Sequence, residues 1–483
     1  MHILAIDQGT TGTTTILYDA QGRVASKAYR PFRQIYPQPG WVEHDPLAIW
    51  QTVVETVEEI LQKSQAKIAA IGITNQRETT VVWDAQSGKP VYNAIVWQCR
   101  RTAEICNGLQ NAAGEIKRKT GLPLDAYFSG TKIKWILDNI PGLKWDNLRF
   151  GTIDSWLIWK LTDGKVHATD FTNASRTLLF NIHSLQWDAD LCHLMDVPLS
   201  LLPEVKRSVD DYGVVTTIPI LKDVPILGLA GDQQAALFGQ RCFTDGQVKN
   251  TYGTGCFMLM NTGQKAVESK EGLLTTVAID GNGSPCYALE GSVFIAGAAI
   301  QWLRDELNIL DDAAGSEKAA LSLKDNGGVY LVPAFTGLGA PHWDMDARGI
   351  IVGLTRGSNR NHLIRAALEA MAYQTYDVLK TMEKDSALEI KELNVDGGAT
   401  VNTFLMQFQS DILNIPLIRP RMAETTALGA AYLAGMKAGL WPDKQALLKL
   451  DCEEDIFRPR MDENTRSILL TGWQKALRQA LSK

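Results

Sequence analysis

One unit occurs twice in this chain, near the start of each half, and it limits the possible folds more than any other feature. Near the N-terminus the apolar run Ile3-Leu4-Ala5-Ile6 ends at Asp7, and Gln8-Gly9-Thr10-Thr11-Gly12 follows as a turn of glycine and small polar residues. Residues 13–18 are β-branched and apolar and predict a second strand; after the turn Asp19-Ala20-Gln21-Gly22, residues 23–29 predict a third. In the second half 247–252 reads as a strand, Gly253-Thr254-Gly255 as a turn and 256–260 as another strand. The separation is far too long for a solenoid repeat. It predicts two related domains joined near residues 240–248, spanning 1–243 and 244–483. Length agrees, because single cores stop growing at roughly 250–300 residues and this chain has 483.

Helical patterns lie between the strands, at 47–62, 131–139 and 362–382, with an Ala- and Gly-rich stretch at 425–435 that reads as core packing. Strands alternating with helices predict an α/β fold with a central sheet in each domain and a cleft between them.

Composition excludes several classes. A net charge of -6 argues against a nucleic-acid partner, and Lys117-Arg118-Lys119 is too short a basic run to change that. The seven cysteines include no Cys-x-x-Cys pair, which fits buried thiols in a reducing compartment. No leader peptide and no membrane span are expected, so the expected location is the cytoplasm. Histidines at ligand spacing and a Gly-x-Ser-x-Gly elbow are both missing, which disfavours a histidine metal site and a serine hydrolase.

The two turns suit a phosphate chain. Glycine lets backbone N–H groups come close, threonine adds a hydroxyl, and an acid at the strand end can hold Mg²⁺ directly or through water. A single loop of this kind also suits an ordinary hairpin; two at matching places favour a clamp. Neither is a Walker A sequence. A third loop, Val395-Asp396-Gly397-Gly398-Ala399-Thr400-Val401-Asn402, leads from a strand into a helix, where backbone donors collect. Arg77-Glu78 and Asp232-Gln233-Gln234 follow apolar strands. Arginine donates to hydroxyl oxygens, carboxylates accept from hydroxyls, and an acid beside an attacking hydroxyl can take its proton. Surface or interdomain ion pairs are the plainer reading of the same residues.

Longer segments carry a resemblance. Tyr36-Pro37-Gln38-Pro39-Gly40-Trp41-Val42-Glu43-His44, Ile73-Thr74-Asn75-Gln76-Arg77-Glu78-Thr79-Thr80, Asn93-Ala94-Ile95-Val96-Trp97-Gln98, Tyr127-Phe128-Ser129-Gly130-Thr131-Lys132, Ala230-Gly231-Asp232-Gln233-Gln234-Ala235-Ala236, Gly337-Leu338-Gly339-Ala340-Pro341 and Val395-Asp396-Gly397-Gly398 together resemble the FGGY carbohydrate kinases, and among them the glycerol-phosphorylating members. The likeness runs from about Ile3 to about Trp473. It implies two actin-like, ribonuclease-H-like domains with the active site in the cleft between them. It also implies ATP-dependent phosphorylation of glycerol to glycerol 3-phosphate, with Mg²⁺. Asp232 resembles the catalytic base. Arg77, Glu78, Tyr127 and Gln233 resemble the other polyol contacts, and Trp97 and Phe257 an apolar wall against the carbon chain. Asp7 resembles the Mg²⁺-associated acid. Thr10, Thr11, Gly12, Thr254, Gly297, Gln301, Gly398 and Asn402 resemble nucleotide contacts. A homodimer or homotetramer is implied by the resemblance alone.

Three departures from the family pattern stand out. Many members have Ser where this chain has Gly12, so only its backbone can serve. Many carry Arg where this chain has Thr14, so a cation near the phosphates is missing. Thr14→Arg is therefore expected to tighten ADP binding, and an unchanged dissociation constant would refute this. The stretch 214–222 has no Gly-Gly-Lys-Gly pattern and no histidine, so control by fructose 1,6-bisphosphate or by histidine phosphorylation is not expected. The rival readings are a related kinase for pentuloses, pentitols or gluconate, and a non-catalytic ATP-binding module of the actin and heat-shock type.

Overall fold

The computed structural model describes residues 1–64 and 66–482. β1 (His2–Gln8) and β2 (Gly12–Tyr18) pair antiparallel from Ile3↔Tyr18 to Gln8↔Thr13, and β3 (Val24–Pro31) extends the meander. α1 (Pro46–Lys63) begins where the Asp45 side chain accepts from the Leu47 N–H and Pro46 fixes the first turn. Its stripe Ile49, Val53, Val57 and Ile60 is fully buried with Leu4, Ile6 and Leu17 of the sheet. β4 (Ile68–Asn75) lies parallel to β1. After α2 (Ser129–Asn139), β5 (Ile226–Gly231) lies parallel to β4, giving a five-stranded sheet in the order β5-β4-β1-β2-β3.

α3 (Asp232–Gly239) leads into the second half. There β6 (Val248–Tyr252), β7 (Cys256–Gly263), β8 (Leu274–Ile279) and β9 (Pro285–Val293) form antiparallel pairs. α4 (Gly297–Asp305) and α5 (Arg360–Ser386) follow, the latter started by a capping box between Asn359 and His362. β10 (Leu393–Asp396) runs parallel to β6 as β4 does to β1. The sheet continues past α6 (Thr403–Leu413) through β11 (Leu417–Pro420) to β12 (Glu454–Phe457), in the order β8-β9-β7-β6-β10-β11-β12. Both sheets therefore contain an antiparallel turn, β1–β2 or β6–β7, with a parallel strand on the far side of its first strand.

α7 (Thr425–Lys437) belongs to the second half by sequence but packs on the first sheet. Ala427, Ala431 and Ala434 share a buried cluster with Ile3, Ala5, Ala70 and Ala230. The approach is backbone on backbone: a Cβ on Gly72 would lie 2.1 Å from the Ala430 carbonyl oxygen, and one on Gly429 would lie 1.9 Å from that of Ala235. The small residues at 425–435 are thus the joint between the halves. Among the described residues no helix is long and apolar enough to cross a membrane. All seven cysteines are free.

Candidate active site

The carboxyl ends of the central strands bring the singled-out residues together, as open α/β sheets tend to do. β1 ends in Asp7-Gln8 and the first turn, β4 runs into Gln76-Arg77-Glu78, and β5 stops at Gly231 so that Asp232 opens α3. β6 ends in the second turn, and β10 ends at Asp396 before Gly397-Gly398.

The first turn is held from behind. The Gly9 N–H donates to the Gly12 carbonyl at 3.0 Å. Gln76 Nε2 donates to Gln8 Oε1 and to the Gly9 carbonyl, and Gln34 Nε2 donates to the Thr10 carbonyl. His44 supports Gln34 at 2.7 Å, and burial lowers its pKa to about 4, so it serves as a neutral structural group. Trp97 Nε1 donates to Thr10 Oγ1 at 3.0 Å, which leaves the Thr10 hydroxyl proton available as a donor. Thr11 is exposed at the tip. Burial, then the charges of Asp232 and Glu424, push the Asp7 carboxyl up to about 7, with Lys27 opposing.

Beneath the turn lies a buried ionic cluster. Arg77, only 2% exposed, donates from Nη1 and Nη2 to Glu290 at 2.7 and 2.9 Å, and from Nη1 to Gln234 Oε1 at 3.1 Å. Its Nε lies 3.3 Å from Asp232 Oδ1 and 3.6 Å from Glu78 Oε1. Arg176 bridges Glu78 at 2.6 Å and Glu290 at 3.0 Å. Burial pushes the Glu290 carboxyl up, but Arg176 and Arg77 outweigh it and hold it at about 2. Glu78 has φ +60°, a left-handed conformation that a glutamate adopts only where its surroundings enforce it. Asp232 retains 30% side-chain exposure. Burial raises its pKa against the pull of Arg77 and Lys249.

An aromatic wall closes one side. Trp97 meets Tyr127 edge-on at 5.5 Å and Phe257 at 6.4 Å, so two rings come from the first half and one from the second. Lys132 is fully buried and ties the loops together, donating to the carbonyls of Tyr127 at 2.7 Å and Glu78 at 3.3 Å.

The second turn is built around α4. Ala296 and Ala298 donate to the Thr254 carbonyl at 2.8 and 3.1 Å, and the Gly297 N–H donates to the Gly253 carbonyl at 3.1 Å. Gln301 is exposed four residues beyond Gly297, on the same helix face. Gly397 takes φ +93°, and Gly398 is exposed with open space beside it. Asn402 does structural work: its Oδ1 caps α6 by accepting from Leu405, and its Nδ2 donates to Ser316 Oγ at 3.2 Å. A second N–H and a second oxygen lone pair of that amide remain beyond these two bonds.

Arg176, Glu290 and Lys249 were not singled out in the sequence, and Gln234 and Lys132 appeared only within longer segments with no role of their own. For two of them a signal existed: Glu290 is a lone acid inside the apolar strand Tyr287-Ala288-Leu289-Glu290, and Lys249 a lone base within β6. Charges inside buried strands are rare unless paired. A cavity of about 630 Å³ is lined by Arg23, Gln240, Arg421 and Lys449 among others, and none of the predicted site residues lines it.

Paired α/β halves with a phosphate-type turn in each make a two-domain, actin-like fold. The description "FGGY family of carbohydrate kinases, N-terminal domain" matches residues 2–239, and its C-terminal counterpart matches 248–438. The chain belongs to this family. It is 58% identical to the glycerol kinase of Caldanaerobacter subterraneus subsp. tengcongensis and 59% identical to that of Petrotoga mobilis, covering 99% of this chain and 98% of each relative. Among solved structures it superposes on Plasmodium falciparum glycerol kinase with ADP at a TM-score of 0.93 and 38% identity, covering 100% of this chain and 98% of that one. A xylulose kinase from Lactobacillus acidophilus, at 24% identity and a TM-score of 0.88, shares the fold.

Proposed function

We propose that this chain transfers the γ-phosphoryl group of ATP to a terminal hydroxyl of glycerol, giving glycerol 3-phosphate and ADP, the first step of glycerol catabolism. One observation carries the reading: Asp232 is a partly exposed acid at the end of β5, 3.3 Å from the buried Arg77 and within charge reach of Asp7 at the end of β1. Relatives named glycerol kinase at 58–59% identity over nearly the whole chain support it.

Glycerol lies against Trp97 and Phe257, with Arg77, Glu78, Tyr127 and Gln233 around its hydroxyls. Asp232 takes the hydroxyl proton as the oxygen attacks the γ-phosphorus. The bond to the β,γ-bridging oxygen breaks, and ADP leaves with that electron pair. A raised pKa makes Asp232 a better proton acceptor than an ordinary carboxylate. The backbone of Thr10, Thr11 and Gly12, with Thr254 and Gly297, faces the phosphates, while Gln301 and Gly398 lie on the nucleotide side. Asn402 holds that side in shape as a helix cap.

The donor set suits Mg²⁺. Mg²⁺ takes one or two carboxylates and completes its shell with water and phosphate. The Asp7 and Asp232 carboxylates repel one another, a situation that a divalent cation relieves. Held by Asp7, the ion would supply charge neutralisation to the phosphates. The two catalytic halves divide at 243/244. The enzyme works in the cytoplasm as a homodimer or homotetramer; light scattering at working concentration tests the assembly.

Coupled ADP release with MgATP and a panel of glycerol, dihydroxyacetone, xylulose, ribulose, ribitol and gluconate tests the function. Glycerol is expected to be used far better than the five- and six-carbon compounds. A pentulose or gluconate preference would overturn the pocket assignment, and ADP release that no compound stimulates would overturn the kinase reading.

A further inference from the structure

One buried cation takes no part in the proposed transfer. Lys249 lies on β6 in the second half and is 0% exposed. Its ammonium donates to two neutral oxygens, Gln233 Oε1 across the junction and Thr251 Oγ1 at 2.9 Å. Asp396, Asp232, Glu290 and Arg77 are the charges around it. Burial draws its pKa down to about 8 against the pull of Asp396 and Asp232.

An ammonium carries only donors, whereas a glutamine amide has an accepting end and a donating end. Lys249 therefore decides which way the Gln233 amide faces. The oxygen must turn to Lys249, so the NH₂ turns the other way. Gln233 Nε2 has no hydrogen-bond partner among the described residues and is not among the buried unpaired atoms, so it keeps access to solvent. Its chain neighbour Asp232 accepts hydrogen bonds, and a substrate hydroxyl both donates and accepts. Asp232 and a correctly turned Gln233 match those two halves of a hydroxyl.

We propose that Lys249 is a positioning residue for polyol recognition, fixing the Gln233 amide so that it presents only a donor to a substrate hydroxyl oxygen. This rests on Gln233 being a polyol contact. It also makes the polyol site depend on a side chain from the second half.

The test is a double-mutant cycle read in glycerol KM, MgATP KM and kcat. Lys249→Met is expected to raise glycerol KM by roughly tenfold and leave MgATP KM in place, the scale of one charge-assisted hydrogen bond. Lys249→Arg keeps charge and donors and is expected to recover most of the loss. In a Gln233→Ala background, Lys249→Met is expected to add less than about twofold, because its route of action is gone. Effects that multiply in full, or an equal rise in MgATP KM, overturn the proposal. Gln233→Glu covers the case in which Lys249→Met does not fold. It keeps the Lys249 contact as an ion pair but has no donor for the polyol, so glycerol KM must rise; an unchanged KM means that the oxygen end faces the substrate and overturns the proposal. Gln233→Ala alone separates the two levels. If it leaves glycerol KM unchanged, the polyol reading of Gln233 falls and the proposal with it.

Discussion

At Asp7, burial works against ionisation. Its carboxyl is pushed from 3.8 to about 7, first by desolvation and then by Asp232 and Glu424. The folded chain thus binds this proton more tightly than the unfolded chain does. The contribution to stability is fully present below the unfolded value of 3.8 and is lost as pH rises toward about 7. Without nucleotide or divalent cation, Asp7→Asn is expected to melt higher than wild type at about pH 8, with the gap narrowing at about pH 5. Scanning calorimetry at both pH values checks this; an equal gap at each would contradict the assigned pKa. On the proposed role of Asp7 in holding Mg²⁺, activity is expected to be lost in the same variant.

At the scale of elements, the β1–β2 turn shows what this chain's departures mean. A Cβ on Gly12 would lie 2.5 Å from the Tyr29 ring and 2.6 Å from the Arg30 carbonyl oxygen. Gly12→Ser is therefore expected to cost about 1–3 kcal/mol, the usual scale of overpacking. Adding Tyr29→Ala should recover only part of it, because the Arg30 backbone remains in the way. Urea unfolding of the single and double variants measures both, and a Gly12→Ser variant as stable as wild type would show that β3 yields freely. The turn itself was legible in the sequence, because strand, Gly-Thr turn and strand are local patterns. The same holds for α1 and α5, whose apolar spacing and caps lie within a few residues of one another. Strand ends were also legible, and they gathered Arg77, Glu78 and Asp232 at one place. What the sequence could not disclose were partners far apart in the chain: Arg176 with Glu78 and Glu290, Lys249 with Gln233, and α7 seated on the opposite sheet. Asn402 shows a further limit, since its motif position does not tell a ligand contact from a helix cap.

Across the whole molecule, Glu290 joins the two halves. It comes from β9 in the second half and receives Arg77 and Arg176 from the first, at 1% exposure. Removing one partner of a buried ion pair leaves uncompensated charge and costs about 3–5 kcal/mol. Glu290→Gln is expected to lower the thermal midpoint and to make the cleft more open to proteolysis; an unchanged midpoint would show that the two arginines find other partners. Arg77, the proposed polyol contact, is thus oriented by a residue from the second half.

The proposed transfer depends above all on Asp232 taking the proton of a glycerol hydroxyl. Glycerol 3-phosphate formation by Asp232→Asn, measured beside direct glycerol binding and the melting temperature of the same preparation, tests it most directly. The kcat is expected to fall by roughly a hundredfold or more, the scale of a lost general base, with the fold intact and glycerol still bound. A folded Asp232→Asn enzyme with near-normal kcat would contradict it and move the proton to another acceptor.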